Sequence, residues 1–298
     1  MANGESEGRK VFNYCVSFID LLGQRNAAKG QGLLPCISSE AEDKAFRKIL
    51  LDNIGGILEL QRDVEEMGSV LSPDPNSPLR ESLSDEERIA WDDLQRKSVN
   101  TQYWSDGFVK YACLGNPEIK CPVNGVFEIF CTAGYFCLLG LVRHRPVRGA
   151  IDIAWGAEIR PGELYGPAII RAYELESEVA QYPRIVIGHE VLRFLEAHRS
   201  NSGDEPAIRA NQEFARLCLD MLAQDDDGYW ILHYLGDAFQ HAVTHAHHSN
   251  LYQKARTFVV SQIEEHKRLR NSKLAFRYTQ LLAYFDTYSP RSEDSQEC

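Results

Sequence analysis

The chain has 298 residues, 44% of them hydrophobic, enough to fill the core of one large or two modest domains. Its formal net charge of -11 and pI near 5.3 exclude non-specific binding to a nucleic-acid backbone, because no basic excess is available to displace counterions. An anionic substrate has to be met locally, by a metal ion or an arginine.

The first residues, MANGESEGRK, lack the apolar core of a signal peptide. VFNYCVSFIDLLG follows as an apolar run of strand composition that ends near Asp20 in a Gly-containing loop. Residues 40 to 66 carry apolar side chains at helical spacing, and Gly55-Gly56 in the middle predicts a break or kink. Residues 69 to 90 combine proline, serine and acidic residues and read as a surface insertion followed by a short helix.

NTQYWSDGFVKYACL, from Asn100 to Leu114, alternates polar and apolar residues around Ser-Asp-Gly. It predicts a hairpin of Val99 to Trp104 and Phe108 to Leu114, with Gly107 supplying the backbone angles of the turn. The apolar run from Val126 to Val142 includes Glu128 and two glycines, so it reads as a buried helix and not a membrane span. VRGAIDIAWGAEI reads as a strand, GPAIIRAYELESEVA as a helix with proline near its start, RIVIG as a strand and HEVLRFLEAHR as a helix. After SNSGDEP the chain is mainly helical in pattern, with GYWILHYL a candidate strand.

This interleaved order predicts an α+β fold with a mostly antiparallel sheet and helices on one face. The division expected is a first domain over residues 1–200 and a mainly helical extension over 201–298. Eight cysteines form no Cys-x-x-Cys pair, and several lie in apolar runs, which predicts reduced, buried thiols in a cytosolic protein.

Asp20 leaves the first strand and Asp106 sits at the hairpin turn. If that strand lies beside the hairpin, both carboxylates converge on one site suited to Mg2+ or Mn2+, hard cations that take oxygen ligands together with nucleotide phosphates. Each aspartate alone has an ordinary explanation as a turn residue or helix cap. Asp152, inside an apolar strand, suits either a base or a buried arginine such as Arg148. His241, His245 and His248 fall at helical spacing, but with no cysteine or carboxylate cluster beside them they read as a solvated helix face.

FIDLLG and WSDGF, followed by RGAIDIAWGAE and GELYGPAIIRAYELE, resemble in order the two metal-aspartate loops and the later strand, loop and helix of the class III nucleotidyl cyclases. The resemblance spans roughly residues 11 to 195, and RGAI with YGPA and RAYELE is most similar to the bacterial pyrimidine cyclases of the Pycsar anti-phage systems. It implies a ferredoxin-like core and two divalent cations, Mn2+ or Mg2+, held by Asp20 and Asp106. The backbone amides of Leu21, Leu22 and Gly23 would bind triphosphate oxygens.

Gln102 stands where adenylate and guanylate cyclases carry a purine-reading lysine or glutamate, and Glu163 stands at the second base-reading position. Ile170 and Glu174 occupy the places of the helix asparagine and arginine that stabilise the transition state. Arg171, on roughly the same helix face, is the candidate catalytic replacement, against an ion pair with Glu174 as the structural alternative.

The resemblance further implies a head-to-tail homodimer with composite sites, Glu163 and Arg171 coming from the second chain. The reaction implied is UTP to cyclic UMP and pyrophosphate in the bacterial cytoplasm, with the product acting on a cyclic-nucleotide-gated effector and neither nucleic acid nor membrane as a partner. CTP is the competing substrate, and a nucleotide-binding regulatory module without turnover is the competing function.

Overall fold

The computed structural model describes residues 11–23, 33–70, 77–244 and 248–288. Strand β1 (Val11–Leu21) is buried without interruption from Tyr14 to Ile19. Such a run, apolar on both faces, belongs to a strand covered on both sides. β1 lies in the middle of one sheet, between β3 (Gly107–Cys113) and β4 (Val147–Arg160), antiparallel to both.

The sheet order is β2-β3-β1-β4-β6-β8-β7, where β2 is Val99–Trp104, β6 Ile185–Ile187, β7 Leu222–Gln224 and β8 Trp230–Leu232. The short β5 (Glu163–Tyr165) pairs with the far end of β4. Among the described strands only β4 and β6 pair in parallel, so the fold is α+β with a mostly antiparallel sheet.

The labelled helices are α1 (Glu40–Val70), α2 (Asp85–Gln95), α3 (Pro122–Val142), α4 (Pro167–Glu174), α5 (His189–Arg199), α6 (Pro206–Asp220), α7 (His248–Arg268) and α8 (Ser272–Thr287). Helices cover both faces of the sheet, contrary to the expectation of one. Alternation along β1 is the reason. Cys15, Ile19 and Leu21 enter the large core with α3, while Tyr14, Val16 and Phe18 enter a second cluster with Ala168, Ile169 and Ala172 of α4.

Among the described residues α3 is the one helix long and apolar enough to cross a membrane, but it is mostly buried in this core. Its Glu128 is held between Lys97 at 2.6 Å and Lys110 at 2.8 Å, so the buried charge is compensated. Of the seven described cysteines, all free, only Cys36 is exposed. Burial pushes the Cys131 and Cys137 thiols up to about 12.

Two local expectations need correction. Gly55-Gly56 does not interrupt α1, which is continuous; a Cβ on Gly56 would overlap the Arg145 guanidinium, so this glycine serves close packing. At the hairpin the left-handed residue is Ser105 (φ 34°), the first of a two-residue turn between Trp104 and Gly107. Gly107 is required for another reason: a Cβ there would collide with the Ile19 carbonyl oxygen of β1. Gly107→Ala is therefore expected to destabilise the fold by about 2 kcal/mol, since a backbone oxygen of a central strand cannot easily yield. Urea unfolding measures this, and an unchanged midpoint would contradict it.

Beyond α6, the β7–β8 hairpin extends the same sheet through Val186 and Ile231. Arg184, 2% exposed, fastens that hairpin by pairing with Asp225 and with Asp227 at 2.6 Å. Just after β8, His233 shares a hydrogen bond with the Tyr284 hydroxyl at 2.9 Å. Burial lowers its pKa from 6.5 to about 4, with Asp237 opposing the shift.

The unfolded chain thus binds the His233 proton more readily. Stability from this residue is complete above pH 6.5 and is lost as pH falls toward 4, by about 3 kcal/mol in total. Comparing the unfolding free energy of wild type and His233→Gln between pH 7 and 4 isolates the effect. Parallel pH profiles would contradict it.

Candidate active site

Asp20 is the penultimate residue of β1, and its cross-strand partners are Gly107 on β3 and Arg148 on β4. The Leu21 N–H donates to the Asp106 carbonyl at 3.2 Å, tying the end of β1 to the hairpin turn. Asp20 and Asp106 consequently line one cavity of about 470 Å3, together with Leu21, Leu22, Gly23 and Arg148. Trp104 and Tyr173 form its aromatic wall, each edge-on to Phe18.

Three carboxylates, Asp20, Asp106 and Glu176, face one guanidinium, so the cavity carries net negative charge and favours cations. Glu176 is 2% exposed and pairs with Arg148 Nε, whereas Arg148 Nη2 stands 4.0 Å from Asp20 Oδ2. Asp20 and Asp106 are the two other carboxylates that line this cavity. Among the described residues no group of three or more His, Cys, Asp or Glu gathers into a closed metal cage. A hard cation with two carboxylates that completes its shell with water and phosphate oxygens fits this all-oxygen set.

The expected amide cradle is smaller than the sequence suggests. Leu21 and Leu22 donate their N–H groups to the carbonyls of Asp106 and Pro146, at 3.2 and 2.9 Å. Neither remains for a ligand, because both residues still follow the sheet and loop pairing of β1. Gly23 has a left-handed φ of 96° and open space where a side chain would stand. Arg148, which the sequence suggested only as one possible partner of Asp152, lies beside Asp20, a placement that the β1–β4 register alone shows.

Gln102 and Glu163 become neighbours: Gln102 Oε1 accepts the Leu164 N–H at 3.2 Å. The Gln102 carbonyl is thereby engaged in holding β5. Glu163, with its side chain 41% exposed, lies 4.0 Å from Arg160. Arg171 does not pair with Glu174; its Nε donates to Asp152 Oδ2 at 2.8 Å. Within one chain Arg171 lies in a second cavity with Glu174 and Glu178, while Tyr173, Glu176 and Ser177 face the aspartates. His241 Nδ1 contacts the Asp237 carbonyl at 2.8 Å, and His245 and the His248 side chain fall outside the described residues.

No protein-family model matches the chain, and neither curated proteins nor solved structures show a match.

Proposed function

We propose that the chain is a nucleotide cyclase of class III type, with a ferredoxin-like core, that converts UTP to cyclic UMP and pyrophosphate. The observation that carries this reading is the shared cavity of Asp20 and Asp106, brought to one end of the sheet by β1 and the β2–β3 turn. Divalent ions held by these aspartates would neutralise the triphosphate and lower the pKa of the ribose 3′ hydroxyl. The 3′ oxygen would then form a bond to the α-phosphorus in line, its proton passing to solvent water, as the bond to pyrophosphate breaks. Arg148 and the Gly23 amide are assigned as the donors for phosphate oxygens in that cavity.

Arg171 is assigned the transition-state role of the replaced helix arginine, and it is assigned to a nucleotide held by a second chain, because within one chain it lines a cavity that includes neither Asp20 nor Asp106. A homodimer with composite sites therefore belongs to the reading. Exposed Trp155, Tyr165, Ile170 and Tyr173, on β4, β5 and α4, provide apolar surface for such a contact. The proposal extends to a bacterial cytoplasmic signal in phage defence, read by a cyclic-nucleotide-gated effector.

A nucleotide-binding module without turnover is the second reading, favoured by Ile170 and Glu174 at the positions of the helix Asn and Arg. Incubation with all four NTPs and Mn2+ in competition decides between them. Cyclic UMP is expected to predominate. Predominant cyclic CMP would overturn the base assignment, predominant cyclic AMP the pyrimidine reading, and no cyclic product the enzyme.

A further inference from the structure

Lys110 lies within β3, opposite Ser17 on β1 and Thr101 on β2, with its side chain only 5% exposed. It meets α3 at Glu128, which is 6% exposed. Lys97, 13% exposed, enters from the link between α2 and β2. Among the described residues the ion pairs of both lysines end on Glu128, at 2.6 and 2.8 Å. One carboxylate therefore serves two ammonium groups, and the triad keeps a net positive charge largely shielded from water. Apolar residues in place of a buried ion triad are often neutral or stabilising, so packing alone does not account for two lysines here.

All three side chains line a cavity of about 490 Å3 beside the edge strand β2. Neither Asp20, Asp106 nor Arg171 belongs to its lining. Val64, Val99 and the Tyr103 ring give it an apolar wall, and Thr101 adds a hydroxyl. Arg96 and Glu65, both exposed, complete its charges. Arg96 has Asp93 at 3.5 Å, whereas Glu65 opposes a second negative charge on any ligand.

We propose that this cavity is a binding site for an organic monocarboxylate with a small apolar body. An ammonium group has three N–H donors, so each lysine can serve Glu128 and a ligand oxygen together. One carboxylate brings the triad to neutrality, and the apolar body lies against Val64, Val99 and Tyr103. A phosphate dianion carries one charge more than the triad offers and meets Glu65. The assignment goes beyond cyclisation and does not depend on it.

Calorimetric titration of the full chain with benzoate, its neutral counterpart benzamide and inorganic phosphate, at one ionic strength, tests it. Benzoate is expected to bind, with benzamide and phosphate each at least about tenfold weaker, because charge-assisted hydrogen bonds are lost or a surplus charge is added. Lys97→Met leaves Lys110 and Glu128 as a neutral pair and should weaken benzoate about tenfold. Glu128→Gln leaves two ammonium groups without their carboxylate and should tighten benzoate about tenfold, a change of opposite sign. Asp20→Asn alters the charge of the chain elsewhere and should leave binding unchanged. If Glu128→Gln does not fold, Lys97→Met and benzamide carry the test.

Absence of binding at millimolar benzoate would overturn the site. So would equal affinity for benzamide, tighter binding of phosphate, unchanged binding in Lys97→Met, weaker binding in a folded Glu128→Gln chain, or loss of binding in Asp20→Asn. Benzoate binding without cyclisation of any NTP would leave this site standing and remove the cyclase reading.

Discussion

Asp20→Asn and Asp106→Asn are each expected to lower cyclic UMP formation by at least about a thousandfold, because loss of one metal carboxylate forfeits several kcal/mol of transition-state charge stabilisation. The fold should survive. Asp20 keeps 30% of its side-chain surface exposed, and each change removes one negative charge from a cavity where three carboxylates face one guanidinium. Product formation measured beside thermal unfolding separates the two effects. Activity should also vanish on chelation of Mn2+ or Mg2+. Wild-type turnover in either variant, or turnover in excess chelator, would contradict the assignment of both aspartates to an ion.

Equal amounts of Asp106→Asn and Arg171→Ala chains, each inactive alone, are expected to recover about a quarter of wild-type activity after subunit exchange. Half of the dimers are then heterodimers, and one of their two sites combines intact aspartates with an intact Arg171. The separation of Arg171 from Asp20 and Asp106 within one chain makes this test decisive for the role of Arg171. A mixture as inactive as its parents, with exchange verified by mass, would show that the site is not shared or that Arg171 has no part in it.

The amino-acid sequence determined the local elements around both cavities. The apolar run through Ile19, the alternation on either side of Ser105-Asp106-Gly107, and the long apolar stretch of α3 each follow from periodicity, burial and turn chemistry within a few residues. The two aspartates could be nominated as a pair because strand ends and hairpin turns are local features. Their meeting in one cavity depended on β1 lying beside β3, a long-range fact.

Tertiary structure alone decided which charges pair. Arg148 lies opposite Asp20 and binds Glu176, and Arg171 takes Asp152 in preference to its helix neighbour Glu174, because strand register and the path of α4 fix those distances. The same holds for Gly107, whose necessity comes from the Ile19 carbonyl of an adjoining strand and not from its own backbone angles. It holds as well for the amides of Leu21 and Leu22, engaged by carbonyls far along the chain. Side-chain preference acts within a turn or two, whereas the stagger of distant strands is set by the burial of the whole sheet. For that reason the elements were legible in the sequence and their chemistry with one another was not.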